Sequence, residues 1–375
     1  MSYSSKLWML REPTGDNLEI DKSFKMVTRE LTVGDLKDGE VISKTLYLSN
    51  DPAQRAWIHK NNVEGRLYRT PIGAGDPMEA FGVAEIVESK NPDYQKGEQV
   101  FASMLWSDYC VLTPSAIVFK VAGDPTDTIT LGITGLTAYF GLLNVGATTP
   151  KDATVVVSGA AGSTGSIVCQ IAKNVLGIKN VVGIAGSDAK CEVLKRDCGC
   201  DVALNYKSPT FKRDFEAATP DDIDVYFDNT GGEATDLAIL RMKEFGRVVV
   251  CGAIGYYDNY EQKGELSRAS WMQIEAPKVE DTVWLPDDPE LQLRSLTLSW
   301  PIQICHKIRI EGFIIFQFAD QFAKGLGDLG QWAQEGKLKL IKQEWGAKVE
   351  DIPQGMLKLL RGENTGKLIT KVVTA

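Results

Sequence analysis

The stretch that decides the fold reads Val155-Val-Val-Ser-Gly-Ala-Ala-Gly-Ser-Thr-Gly-Ser166. Its β-branched run predicts a buried strand, and the apolar spacing that follows Ser166 predicts a helix. Glycines between the two elements allow a tight turn and let the backbone approach a diphosphate, which the N–H groups at the start of the helix would hold. We therefore expect a dinucleotide to bind at Gly159, Gly162, Ser163, Thr164 and Gly165.

The segment after this turn favours a cofactor that carries a 2′-phosphate. Between Ser166 and Ser187 the chain has no Asp or Glu, so the acid that would hold a ribose 2′-hydroxyl is missing. Ser187 and Lys190 stand there instead. Lysine is disfavoured in the first turn of a helix, and a bound phosphate would explain it, although Lys190 could also be a solvated residue of a helix capped by Ser187 or Asp188. We expect NADP(H) rather than NAD(H).

Size and composition describe a globular protein of two domains. The chain has 375 residues, of which 43% are hydrophobic and 24% charged. Its net charge of −9 gives no general attraction for nucleic acid or anionic membranes, so we expect neither as a partner. We find no segment that resembles a membrane span or a signal peptide. These features predict a cytoplasmic protein.

Cysteine and histidine usage predicts no metal. Seven cysteines are scattered along the chain and the number is odd, which in a reducing compartment indicates buried apolar side chains. Cys198 and Cys200 form the one close pair, and no second cluster accompanies it. The chain has only two histidines, His59 and His306. A zinc site would need such ligands gathered at defined spacing.

The order of elements predicts an α/β protein with a doubly wound parallel sheet and a β-rich domain. Up to about residue 127 the chain reads as short strands broken by Gly, Pro and Asp. A helix over 135–144 follows, and then strands alternate with helices. The predicted strands of this sheet are Thr154–Ser158, Asn180–Ala185, Val202–Asn205, Ile223–Asp228, Arg247–Gly252 and Ile310–Phe316.

The last part of the chain is expected to return to the first domain. An amphipathic helix begins at about residue 322, and a closing strand covers Lys367–Val373. We thus expect one domain from residues 1–127 and 322–375, and a dinucleotide domain from residues 128–321. The second contains an insertion at about 263–299, which is either disordered or functional, and its aromatic residues favour an ordered lid or partner surface.

Eight motifs spread along the chain carry a resemblance to a known family. They are Leu48–Arg55, Gly132–Leu143, Gly186–Lys190, Asn205–Lys207, Tyr226–Gly232, Cys251–Ile254, Ile310–Ile315 and Asn364–Lys367. Together they resemble the zinc-independent branch of the medium-chain dehydrogenases/reductases that contains leukotriene B4 dehydrogenase, prostaglandin reductases and alkenal double-bond reductases, and Leu48–Arg55 is similar to its form in fungal members. The resemblance implies a GroES-like substrate domain, a Rossmann-type cofactor domain with the active site in the cleft between them, and a homodimer joined at the edges of the cofactor sheets.

The resemblance implies further cofactor contacts. Tyr206 would pack near the 2′-phosphate and donate its hydroxyl, although an aromatic residue at a strand end needs no such role. Asn229 follows the fourth strand, where open α/β sheets bind ligands, although turn chemistry alone could explain its motif. The remaining contacts implied are Cys251, Gly252, Ala253, Ile254, Tyr257, Phe313, Ile314, Ile315 and Asn364.

Tyr257 is the candidate catalytic residue. In the related reductases a tyrosine just after Gly-Ala-Ile lies beside the nicotinamide ribose. Hydride addition to the β-carbon of a conjugated carbonyl places enolate charge on the carbonyl oxygen, and a phenol hydroxyl can donate a hydrogen bond or a proton to it. The alternatives are that Tyr257 is an aromatic wall while water supplies the proton, or that the neighbouring Tyr256 takes the role.

Two departures from the family pattern bear on the substrate. Many relatives have an aromatic residue where this chain has Ala53. The second departure is the long 263–299 insertion. The zinc enzymes of the superfamily carry Gly-His-Glu, whereas the corresponding region here, Gly75–Gly82, has no histidine. Without a Lewis acid, simple alcohol oxidation is not expected.

The sequence thus predicts NADPH-dependent reduction of the carbon–carbon double bond of α,β-unsaturated aldehydes or ketones. A quinone reductase of the same superfamily is the nearest alternative. A protein that binds NADPH without turnover is the alternative from another class.

Overall fold

The computed structural model of this chain describes residues 1–62, 68–257 and 306–373. These residues form two compact units. One contains residues 1–134, Tyr257 and residues 340–373, and the other contains residues 135–256 and 306–339. The first unit is therefore built from both ends of the chain. The expected insertion at 263–299 lies outside the described residues.

The strands are listed here by their observed bounds. In chain order they are β1 (Ser2–Leu10), β2 (Phe24–Thr32), β3 (Val41–Ser49), β4 (Glu79–Ser89), β5 (Gln99–Leu105), β6 (Tyr109–Leu112), β7 (Ile117–Lys120), β8 (Thr154–Val157), β9 (Asn180–Ala185), β10 (Val202–Asn205), β11 (Ile223–Asp228), β12 (Met242–Val250), β13 (Arg309–Gly312), β14 (Lys342–Trp345) and β15 (Lys367–Lys371).

The described α-helices are α1 (Ile20–Ser23), α2 (Ala53–Trp57), α3 (Pro125–Ile129), α4 (Leu136–Phe140), α5 (Ser163–Gln170), α6 (Asp188–Asp197), α7 (Phe211–Ala218), α8 (Glu233–Ile239), α9 (Phe322–Gln334) and α10 (Ile352–Leu360). Short 3₁₀ turns cover Val33–Asp35, Pro114–Ala116, Ile315–Gln321 and Val349–Asp351. Wider π-type turns cover Thr130–Gly135, Gly141–Val145 and Ile171–Val175.

The second unit contains a six-stranded sheet in the order β10-β9-β8-β11-β12-β13. Every neighbouring pair is parallel. Counted along the chain, this is the order 3-2-1-4-5-6 of a doubly wound dinucleotide-binding fold, and the predicted fold class is confirmed. The strands that flank the switch of direction are buried on both faces, and Val155, Val156 and Val157 are fully inaccessible to solvent.

The first unit is β-rich, in agreement with the expected GroES-like domain. Its larger sheet has the order β14-β15-β3-β4-β5-β7, with β6 paired to β3, and β1 and β2 form a separate ribbon. The C-terminal strand β15 pairs antiparallel with β3. Lys367 at the start of β15 is 1% exposed, and its Nζ lies 2.6 Å from Oδ1 of Asp51. The two ends of the chain are thus joined by a ladder and a buried ion pair.

The boundaries between the units differ from those expected. The first lies at 134/135 rather than 127/128, and the second at 339/340 rather than 321/322. Helix α9 therefore belongs to the dinucleotide unit, because it packs there: a Cβ on Gly325 would lie 2.8 Å from Cδ2 of Leu136. The ring of Trp332 also stacks on that of Tyr139 at 5.7 Å. The amphipathic pattern of α9 predicted that one face of the helix is buried. It did not indicate which of the two units covers that face.

Two strands of the parallel sheet and one membrane expectation also need correction. The strand predicted over 247–252 begins earlier, at Met242, and ends at Val250. The strand predicted over 310–316 ends at Gly312, because the chain turns into a 3₁₀ helix at Ile315. The helical run Pro125–Val145 contains an 18-residue window with a mean hydropathy of 1.3 and is long enough to cross a membrane, although no such segment was expected. Within the structure 61% of its apolar window is buried, as in the core helix of a globular domain.

Candidate functional site

The glycine turn joins β8 to α5 at the carboxyl edge of the sheet. Gly159 has φ +57°, a left-handed conformation that glycine adopts without strain. The N–H of Ala160 donates to the carbonyl of Ile184 on β9, and that of Gly162 donates to the carbonyl of Gly159. Gly162 then caps α5 with extended backbone angles. The first turn of α5 contains no acid, so its N-terminal N–H groups present an uncompensated positive dipole end.

The other glycines are required by close approach. A Cβ on Gly165 would lie 2.5 Å from the carbonyl oxygen of Gly159 and 2.7 Å from Cα of Ala160. A Cβ on Gly162 would lie 3.2 Å from the same carbonyl oxygen. The helix therefore starts directly against the turn, and a side chain on Gly165 would collide with the backbone of the turn. This cradle fits the pyrophosphate of a dinucleotide.

A buried polar network holds the ends of β8 and β11 together. The Ser158 hydroxyl donates to Oδ1 of Asp228 at 2.8 Å and accepts from the N–H of Asn229 at 2.8 Å. The Asn229 carboxamide donates to the carbonyl of Ser158 at 2.7 Å. Asn229 is thus placed beside the glycine turn, and a Cβ on Gly159 would lie 3.2 Å from its Cβ.

The segment that leaves β12 lies along the same edge. The N–H groups of Cys251 and Gly252 both donate to the carbonyl of Asp228, at 2.9 and 3.1 Å. The N–H of Ile254 donates to the carbonyl of Asn229 at 3.3 Å. Desolvation and the Asp228 carboxylate raise the pKa of the Cys251 thiol to about 12, so it is protonated at neutral pH. The structure therefore brings the predicted contacts at 251–254 next to Asn229.

A cationic cluster stands at the ends of β9 and β10. Ser187 caps α6, and its hydroxyl accepts from the N–H of Lys190 at 3.3 Å. The Tyr206 ring lies against Gly186, where a Cβ would be 3.0 Å from Cε1 of the ring, and Lys207 Nζ lies 5.7 Å from the ring centroid. Desolvation, with a smaller contribution from the positive charge of Lys207, lowers the pKa of half-buried Lys190. A bound phosphate dianion would relieve that repulsion.

The remaining predicted residues fall in two places. Phe313 follows β13, and its ring packs inward, with Cζ 2.7 Å from where a Cβ on Gly141 would be, while Ile315 is 7% exposed. Contacts from Phe313 and Ile315 would thus use backbone rather than exposed side chains. Asn364 lies in the first unit, 6% exposed, and donates to the carbonyl of Gly366.

The two adjacent tyrosines are distinguished by their surroundings. Tyr256 is 9% exposed, and its ring covers the turn after β11, where a Cβ on Gly231 would lie 2.7 Å from its Cε2. Tyr257 is half-buried and belongs to the first unit. The ring of Tyr256 thus has a packing role in the turn, and the catalytic role of Tyr257 stays a prediction.

Two residues of this site were missed by the sequence analysis. Asp228 was treated only as part of a turn motif, and Lys207 only as part of a family motif. An acid at the end of an apolar strand, directly before Asn-Thr-Gly-Gly, was the available signal for the first. Among the described residues, no group of three or more His, Cys, Asp and Glu is arranged to hold a metal ion.

Comparison with known proteins is consistent with this geometry. The family described as "N-terminal domain of oxidoreductase" matches residues 6–121, and "Zinc-binding dehydrogenase" matches residues 163–269. Prostaglandin reductase 1 of Bos taurus is 35% identical over 98% of this chain and 99% of its own length. The 2-alkenal reductase (NADP(+)-dependent) of Nicotiana tabacum is 33% identical over 96% of this chain and 94% of its own.

A solved structure shares the fold. CurA from Vibrio vulnificus in complex with NADPH superposes with a TM-score of 0.81, at 24% identity over 99% of this chain and 100% of that chain. The description of the second family mentions zinc. The absence of zinc from this chain stays a prediction, as does the resemblance to fungal members.

Proposed function

We propose that this chain, which belongs to the medium-chain dehydrogenase/reductase superfamily and is an NADP-dependent oxidoreductase of its prostaglandin reductase and 2-alkenal reductase branch, reduces the carbon–carbon double bond of α,β-unsaturated aldehydes or ketones. The observation that carries the proposal is the site along the carboxyl edge of β8–β12. It combines a cradle for a pyrophosphate with a lysine cluster suited to a 2′-phosphate.

The residues of this chain would divide the binding of NADPH between them. The turn at 159–165 and the start of α5 hold the pyrophosphate, and Ser187, Lys190 and Tyr206 hold the 2′-phosphate. Asn229 and the segment 251–254 line the nicotinamide half. When bound, NADPH supplies the hydride.

Tyr257 is the proposed proton or hydrogen-bond donor to the carbonyl oxygen of the substrate. A phenol at this oxygen stabilises the charge that develops there as the β-carbon is reduced. The packing of the Tyr256 ring onto Gly231 supports this assignment over the neighbouring tyrosine, because it gives Tyr256 a structural role.

The test is a substrate panel assayed with NADPH. We expect 2-alkenals and enones to be consumed, with the saturated carbonyl identified by mass spectrometry. Consumption of quinones alone would make the protein a quinone reductase. NADPH binding without turnover of any conjugated carbonyl or quinone would make it a binding protein.

Paired variants test the tyrosine. Tyr257→Phe should lower kcat by about 100-fold with little change in NADPH affinity, because only a donor in the transition state is lost. Tyr256→Phe keeps the packing ring and should retain most of the activity. Equal activity of both variants and the unaltered enzyme would assign the proton to water.

We also propose a cytoplasmic homodimer joined at β13. Among the described residues this strand is an edge of the six-stranded sheet, and three of its four residues are exposed. Light scattering on the purified protein tests the dimer, and Ile310→Pro at that edge should shift it to monomer. Fractionation of cells that produce the protein tests the compartment.

A further inference from the structure

Asp228 is a buried carboxylate at the place where the strand order of the sheet reverses. It is the last residue of β11 and is 2% exposed. Strand β8 lies beside β11, in parallel register from Val155–Val225 to Val157–Phe227. From this pair the chain leaves β8 toward β9 and leaves β11 toward β12, so the crevice between the two turns is where such sheets bind ligands.

The partners of the carboxylate are all donors. Oδ1 accepts from the Ser158 hydroxyl at 2.8 Å, from the N–H of Thr230 at 3.0 Å and from the N–H of Gly231 at 2.9 Å. Oδ1 also accepts a longer bond from the Tyr226 hydroxyl at 3.4 Å, and Oδ2 accepts from the Thr235 hydroxyl at 2.7 Å. This is the pattern of an ionised carboxylate, and each named partner is a dipole rather than a cation.

The negative charge of Asp228 affects the ionisation of neighbouring groups. Desolvation, with the Asp228 charge as a second cause, raises the pKa of fully buried Tyr226 well above its usual value. A negative charge in a site of low polarity acts over several ångströms, since water screens it little. The turns that Asp228 holds carry Asn229 and the segment from Cys251, which are proposed to line the nicotinamide.

We propose that the charge of Asp228 biases this site toward the oxidised cofactor, so that Asp228 is a positioning residue whose charge also favours hydride donation. This inference rests on the proposed binding of NADP(H). NADP⁺ and NADPH carry the same phosphates and differ by one positive charge, which the oxidised nicotinamide ring carries. Repulsion between Asp228 and the phosphates is common to both forms and cancels in the ratio of their affinities.

The experiment compares two variants that weaken the same network differently. Asp228→Asn removes the charge at nearly constant shape. Thr235→Val removes the hydroxyl that bonds Asp228 and the Tyr226 hydroxyl, and it keeps the charge. Affinities for NADP⁺ and NADPH are measured separately by calorimetry. In Asp228→Asn the affinity for NADP⁺ relative to NADPH should fall by roughly three- to tenfold, and in Thr235→Val the ratio should stay as in the unaltered protein.

Other outcomes overturn the inference. An equal loss of both affinities in Asp228→Asn, or the same change of ratio in Thr235→Val, would give Asp228 a structural role only. If Asp228→Asn does not fold, by circular dichroism, Asp228→Ser replaces it as a smaller neutral residue and must lower the same ratio. Failure of the unaltered protein to bind either nucleotide would instead contradict the proposed function.

Discussion

The two halves of the sheet's carboxyl edge are built in opposite ways. At the ends of β9 and β10, Tyr206 is 50% exposed and Lys190 is half-buried beside a second lysine. At the ends of β8 and β11, Ser158 and Thr235 are fully buried around the Asp228 carboxylate. The lysines of the first half would give selectivity for NADPH over NADH. The buried hydrogen bonds of the second half would fix the position of the bound cofactor. Substitutions in the two halves should therefore have different consequences.

The largest effect is expected where the two halves meet, at the glycine turn. Gly165→Ala would place a Cβ 2.5 Å from a backbone oxygen, and backbone cannot move aside cheaply. We expect the free energy of unfolding to fall by about 2 kcal/mol or more and NADPH binding to be lost, as measured by denaturant titration and fluorescence.

A matched control exists on α9. A Cβ on Gly327 would meet no atom within 4 Å, so Gly327→Ala makes the same change on an open helix surface. It should leave binding intact and stabilise the protein by up to about 1 kcal/mol. Equal effects of the two variants would show that the turn tolerates a side chain, and the cradle would be refuted.

Breaking the cationic half should change cofactor choice. Lys190→Gln removes a charge-assisted contact worth about 1.5–3 kcal/mol, so NADPH affinity should fall by roughly 10- to 100-fold while NADH affinity stays constant. Lys195→Gln, on the same helix with its ammonium 3.5 Å from Glu192, is the control and should change neither. An equal loss of affinity for NADPH and NADH would show that the 2′-phosphate does not bind at Lys190.

Breaking the buried half should not change cofactor choice. Ser158→Ala removes a donor to Asp228 and an acceptor for Asn229, which should cost about 1–3 kcal/mol of stability. Affinities for NADPH and NADH should fall by the same factor, because both carry the same pyrophosphate and nicotinamide. A loss of affinity for NADPH alone would show that the 2′-phosphate binds at the ends of β8 and β11, and it would contradict the roles assigned to the two halves.

The smallest effect is a dependence on pH. The Lys190 pKa is lowered by desolvation and by Lys207, and the phosphate binds the protonated amine. The preference for NADPH over NADH should thus be complete below this lowered pKa and should decline as pH rises through it, before an ordinary lysine titrates. Lys207→Gln should move the decline to higher pH. A preference that is flat up to the usual lysine range would contradict the coupling.

Local patterns predicted the architecture well. The runs of buried β-branched residues and the glycine turn gave all six strands of the parallel sheet, because each signal lies within a few residues. The amphipathic helix α9 was assigned to the wrong unit, since its pattern contains no information about its partner, Leu136. Asp228 was missed for a similar reason: its donors Ser158 and Thr235 are 70 and 7 residues away in sequence.

The pairing of β15 with β3 has a consequence for how the protein is made. The ribosome synthesises the chain from its N-terminus to its C-terminus. Residues 1–134 therefore emerge long before Lys367, which lies 316 positions after Asp51, can pair with it. Until then the end of β3 that pairs with β15, residues 47–49, exposes an unpaired edge, which is prone to association with other nascent chains. The dinucleotide unit, whose described residues all lie between 135 and 339, can complete its sheet first. Slow translation would lengthen this interval, and the N-terminal unit is the one that would need chaperone protection.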